Sequence, residues 1–157
     1  MARYVAQLTS AATLSAGVAF GWVGYSTTTG LRLRRVLLGT IAGTSAPASQ
    51  QLLVGINITS TGTPSGGTAV TSTLMNSGYR TPANALYTGW GTAPTLAGAD
   101  AVSLPFNSQS GGDWPWEIPE DFWPSSAAGT AVGFAFVNRA NAVPSGMSLV
   151  LTTEYEE

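Results

Sequence analysis

The densest chemistry in this chain lies in one run: Asp113, Trp114, Pro115, Trp116, Glu117, Ile118, Pro119, Glu120, Asp121, Phe122, Trp123 and Pro124. Indole faces stack on sugar rings while nearby carboxylates accept hydroxyl hydrogen bonds, so one chemistry open to it is carbohydrate binding. A glycosidase would pair Glu117 with Glu120 or Asp121, the two carboxyls standing about 5–9.5 Å apart across the scissile bond. Calcium is a third option, with Asp113, Glu117, Glu120 and Asp121 as hard oxygen ligands. The fourth is packing, because tryptophan contributes large apolar area at cores and interfaces while acids face water or arginines. Packing or a protein interface is the reading adopted, and it makes Trp114, Trp116, Glu117, Phe122 and Trp123 candidate partner-binding residues. Prolines at 115, 119 and 124 remove backbone donors, so the run is expected to be an edge strand or rigid loop.

The remaining ionisable inventory points away from catalysis. The chain has no histidine, cysteine or lysine, the side chains most readily tuned toward neutral pH, and its charges come from six arginines and eight carboxylates. Arginine binds and packs but rarely shuttles protons. A serine or threonine nucleophile would find no histidine or lysine as its base, which rules out a triad hydrolase. The glycines at 62, 66 and 67 are followed by no Gly-Lys-Ser, so no phosphate-binding loop is expected. Asn57-Ile58-Thr59 matches a glycosylation sequon but falls inside an expected strand, and is read as chance.

Arg32, Arg34 and Arg35 form the one basic cluster and are further candidate contacts. On a regular strand Arg32 and Arg34 share one face and Arg35 takes the other, giving no broad positive surface. With pI near 4.9 and no lysine, nucleic acid is not an expected partner. Glu154, Glu156 and Glu157 end the chain and are expected to solubilise a strand end rather than pair with that arginine strand.

Only 9% of residues are charged and the net charge is −2, so Ser, Thr, Gly, Asn and Gln must make much of the surface. A surface so weakly charged favours coverage in an oligomer or larger assembly. No stretch approaches the roughly 20 apolar residues of a membrane helix, and the interrupted start does not read as a cleaved leader. No cofactor, metal or membrane partner is expected.

The elements that must position these residues read as strands. Leu14, Ala16, Val18, Phe20 and Trp22 alternate with small or polar residues, as do Leu31 and Leu33, then Leu52, Val54, Ile56 and Ile58. Val132, Phe134 and Phe136 share a parity, and so do Met147, Leu149, Leu151, Thr153 and Tyr155. Turn-rich stretches separate them, and Leu74 to Gly98 reads as a long crossing connection with a short strand near Ala85 to Trp90. The expectation is an all-β, single-domain, jelly-roll-like antiparallel β-sandwich over residues 1–157, with at most one short helix.

The whole pattern resembles a group of tailed-bacteriophage virion proteins, single jelly-roll domains that serve as capsid decoration or minor head proteins. The likeness rests on the alternating Leu14 to Trp22 segment, the Leu-Arg-Leu-Arg-Arg-Val run at 31 to 36 and the polar Thr/Gly/Ser loop after Ile58. It rests also on Ala142-Val143-Pro144-Ser145-Gly146-Met147-Ser148-Leu149, which leads into a final strand closed by acids. The resemblance implies a non-enzymatic virion structural protein on the capsid surface, made in the host cytoplasm and bound as a homotrimer or other symmetric assembly to the major capsid protein. The tryptophan-rich 113 to 124 segment departs from that pattern, and leaves a carbohydrate-binding β-sandwich, secreted or receptor-binding with a glycan partner, as the alternative.

Overall fold

The computed structural model describes residues 2–12, 14–24, 30–42, 49–61, 65–75, 81–116, 125–126, 133–140, 143–144 and 146–157, and every regular element among them is a strand. In chain order these are β1 (Arg3–Thr9), β2 (Ala19–Val23), β3 (Leu31–Ala42), β4 (Gln51–Thr61), β5 (Thr68–Val70), β6 (Thr73–Leu74) and β7 (Leu86–Thr88). They continue as β8 (Thr95–Asn107), β9 (Gly112–Pro115), β10 (Ser125–Ser126), β11 (Phe134–Asn138) and β12 (Met147–Glu156).

Two antiparallel sheets result. One runs β10, β3, β12, β1, β6, with β9 also paired to β3; the other runs β5, β7, β2, β11, β4, β8. The last strand, β12, lies between β1 and β3, and the one before it, β11, lies between β2 and β4. β8 then extends β4 and β9 extends β3. Chain ends folded back against two successive ribbons, with consecutive strands switching sheets, make a jelly roll. The excursion between β4 and β8 wraps the opposite flank, adding β5 and β7 beside β2 and β6 beside β1. The expected crossing connection over Leu74 to Gly98 is met only in part: its short strand is β7, but the excursion begins and ends in one sheet, where β4 pairs with β8, and the residues from Thr95 on belong to β8 itself.

Alternation places the core between the sheets. Tyr4, Ala6 and Leu8 of β1 and Met147, Leu149, Leu151 and Tyr155 of β12 are buried against Val54, Ile56, Leu104, Phe134 and Phe136. Gly21 lets the sheets close here, since a Cβ at that point would stand 3.0 Å from the tips of Leu8 and Leu151. Tyr4 stacks on Tyr155, with ring centroids 5.5 Å apart. The Tyr155 hydroxyl donates to the Asn84 carbonyl at 3.0 Å, and the Glu157 carboxylate receives the N–H groups of Ala83 and Asn84. The chain's end thereby holds the wrapped excursion to the sandwich.

The alternation of Leu14 to Trp22 is broken twice. Ser15 to Gly17 lead into a turn, with Gly17 at φ +77°, and the strand begins only at Ala19. The pairing of β2 with β11 then skips Phe20, a bulge that leaves Phe20 in the central core and sends Trp22 to the outer face. Trp22 is 1% exposed there, beside Ala19, Ala135 and Val137, with Tyr87, Trp90 and Leu96 packed against them. Its Nε1–H donates to Thr59 Oγ1 at 3.3 Å, and glycines at 24 and 133 leave room for its ring.

Candidate functional site

β3 carries the arginine cluster, and its geometry differs from a regular strand. Glu154 pairs with Arg35 and Tyr155 with Leu33, so Arg34 is an extra residue in a β-bulge. The inward set changes parity across it, from Leu31 and Leu33 to Val36 and Leu38. Arg35 therefore does not point into the sandwich; Arg32, Arg34 and Arg35 are all partly exposed on the outer face.

There Arg34 and Arg35 meet carboxylates instead of forming a positive surface. Glu156, 8% exposed at its side chain, accepts from Arg3 Nε at 2.7 Å and lies 3.2 Å from Arg34 Nε. Arg35 grips Asp113 through both oxygens, at 2.8 and 2.6 Å, and lies 3.6 Å from Glu154. Arg32 stands opposite Glu156 in the β3–β12 register and opposite Ser125 of β10. A band of charge thus crosses β9, β3, β12 and β1. The terminal acids Glu154 and Glu156 belong to it, so the expectation that they serve only to solubilise a strand end does not hold. Pairing across neighbouring strands is what brings residues more than a hundred positions apart into contact.

Gly111, at φ +69° and with a Cβ position only 2.7 Å from the Leu38 carbonyl, makes the tight turn that lays β9 beside β3. β9 is the proline-bearing edge strand the sequence implied. Asp113 and Pro115 are exposed, while Trp114 and Trp116 are half-buried and packed against the core. The Trp114 ring folds over Gly112 and meets Phe106 of β8 edge-on, with centroids 6.4 Å apart. Trp116 donates its backbone N–H to the Arg34 carbonyl at 2.9 Å. Both indoles pack against the core, and Trp114 links β9 to β8 of the other sheet. Glu117, Phe122 and Trp123, with Glu120 and Asp121, lie outside the described residues. The calcium reading loses Asp113 to Arg35, and among the described residues no three metal-ligating side chains gather.

A second ionic cluster, on the outer face of the other sheet, escaped sequence reasoning. Arg139 makes paired bonds to Asp100 at 2.8 and 2.6 Å, and Asp100 lies against Gly55, where any Cβ would collide with its carboxylate. Asn57, fully buried, directs its amide nitrogen at the Ala97 and Ala99 carbonyls and at Asp100 Oδ1, while its Oδ1 accepts from the Ala97 N–H. The sequon asparagine is therefore a structural staple with no room for a glycan. No spacing motif relates positions 57, 100 and 139; the only signal was a lone Asp among small residues.

Hydrogen bonding from Arg139 holds the Asp100 carboxyl below the usual carboxylate range, with Asn57 adding to it against burial, and Arg35 does the same for Asp113. A depressed folded pKa stabilises above the unfolded value of about 4, and that contribution disappears as pH falls through the folded value. Urea unfolding followed from pH 7 to pH 2 is expected to show stability lost below about pH 4, with a shallower loss in Asp100→Asn. Equal slopes in the two proteins would show that the Asp100 cluster does not contribute.

No protein-family model matches the chain, and no curated protein matches it.

Proposed function

We propose that this protein is a non-enzymatic structural component of a virion, a decoration protein that binds the major capsid protein on the capsid surface and stabilises the shell. One observation carries the non-catalytic half: each described carboxylate is engaged by an arginine or a backbone donor. Asp100 is held by Arg139, Asp113 and Glu154 by Arg35, Glu156 by Arg3 and Arg34, and Glu157 by the N–H groups of Ala83 and Asn84. The described side chains with resolved shifts move away from neutrality. Asp100 and Asp113 go down, and burial pushes the Tyr155 hydroxyl up to about 12. Catalytic sites tune acids and bases the opposite way, toward the operating pH.

The virion half rests on the sequence pattern and on what a shell requires. A head filled with DNA is under outward load, and a jelly roll whose strands are cross-linked by ion pairs on both outer faces can bridge subunits without moving parts. Low surface charge lowers the electrostatic barrier to lying against a lattice or against sister copies in a trimer.

The test uses shells assembled from the major capsid protein encoded in the same gene cluster. Added protein is expected to co-sediment saturably and raise the shell melting temperature. Absence of shell binding, together with a tryptophan fluorescence response to polysaccharide, would replace this reading with a carbohydrate-binding module; measurable glycoside turnover lost in Glu117→Gln would replace it with an enzyme.

A further inference from the structure

Every open sheet needs an answer at its edges, because an unpaired strand templates addition of another. Three of the edges described are brief or interrupted. β5 has 3 residues, β6 has 2, and β9 ends at Pro115. β8 is different, a 13-residue edge rich in small residues, with Asp100 as its one charge. Lysine, the residue most often used to protect such an edge, is absent from the chain.

Two local features disable it. In the first half the register against β4 slips repeatedly. Asn57 pairs with Asp100 and Thr59 with Leu96, so 97 to 99 on β8 face the single residue 58. Asn57 and the Asp100–Arg139 pair hold that bulge in place. In the second half, from Val102 to Asn107, pairing is regular. Leu53 turns its carbonyl toward Arg139, away from β8, so its partner Pro105 turns its own backbone outward. Outward positions alternate, which leaves Ser103, Pro105 and Asn107. Proline has no N–H to offer, and the Asn107 carbonyl already accepts from Gly111 at 2.9 Å. Ser103 alone keeps both groups facing outward.

We infer that β8 is a guarded edge: the bulge stapled by Asn57, Asp100 and Arg139, together with Pro105, keeps a second copy of this chain from adding to it strand against strand. Copies then meet through sheet faces and loops. The guard is what lets a chain with so little surface charge stay in a defined assembly instead of joining edge to edge.

Deleting Gly98 and Ala99 removes the two surplus residues opposite position 58 and leaves on β8 only the single-residue bulge at Ala101, and Pro105→Thr restores the outward donor. The combined variant is expected to form antiparallel β8–β8 pairs, which close with two-fold symmetry. Sedimentation velocity should therefore show about a twofold rise in mass over the wild-type species. Hydrogen exchange should slow at residues 102 to 107 specifically. Pro105→Thr alone leaves the bulge and its staple intact, so it should fold and show a smaller, concentration-dependent shift of the same kind. A cooperatively folded combined variant that sediments like wild type overturns the inference. If the deletion prevents folding, an unshifted, folded Pro105→Thr overturns it instead.

Discussion

Trp22→Ala is expected to lower the unfolding free energy by about 3–5 kcal/mol, the range for removing a large buried aromatic. Domains of this kind have only about 5–15 kcal/mol in total, so the variant would melt on the order of 10 °C lower. The size follows from position. Trp22 is 1% exposed on an outer face, yet its ring joins strands from both sides of β2: Tyr87 of β7 stands 5.7 Å away, and Ala135 and Val137 of β11 lie in the same cluster. Glycines at 24 and 133 leave space shaped to that ring, which alanine cannot fill. No disulfide offsets the loss, as the chain has no cysteine. Trp22→Phe keeps most of the area but leaves Thr59 without the indole donor, and should cost about 1–2 kcal/mol. Equilibrium denaturation with unchanged m-value measures both. A loss below about 1 kcal/mol for alanine would show that this outer cluster is not part of the cooperative unit.

Asn57→Ala ranks next, with an expected loss of about 2–4 kcal/mol, because a buried group left without its partner costs about 1–3 kcal/mol. The substitution strips a bond from the Ala97 N–H and donors from two carbonyls and from Asp100, all inside the bulge of β8. Asn57→Asp separates this from mere loss of volume. It places a second carboxylate about where an amide nitrogen now lies 3.0 Å from Asp100 Oδ1, facing two carbonyl oxygens. That variant should be less stable than Asn57→Ala at neutral pH and recover relative to it as acid neutralises the pair. Identical pH profiles for the two substitutions would contradict the stapling role.

Side-chain alternation by itself pointed to the class of this protein, since strands with period-2 burial such as Met147 to Tyr155 must cover one face, and with so much Gly and Pro against helices another sheet is what covers it. Residue types narrowed the proline-bearing segment to an edge strand or rigid loop and left few groups suited to proton transfer; that residues 112 to 115 pair with β3 came from the structure. Besides the two- and three-residue strands β5, β6 and β10, the longer β1 and β8 were overlooked. β1 buries Tyr4, Ala6 and Leu8 in alternation, but with alanine at its centre the hydrophobic period is weak, and the first half of β8 is rich in Ala and Gly, whose small side chains carry almost none.

Tertiary structure alone decided where the charges go. Whether Arg35 faces core or solvent turned on one extra residue at Arg34, and a bulge reverses the parity of everything beyond it without leaving a mark in the local sequence. The same holds for Phe20 and Trp22. Arg34 with Glu156, Arg35 with Asp113 and Arg139 with Asp100 are partners only because the jelly roll brings distant strands side by side, and no interval along the chain encodes that neighbourhood.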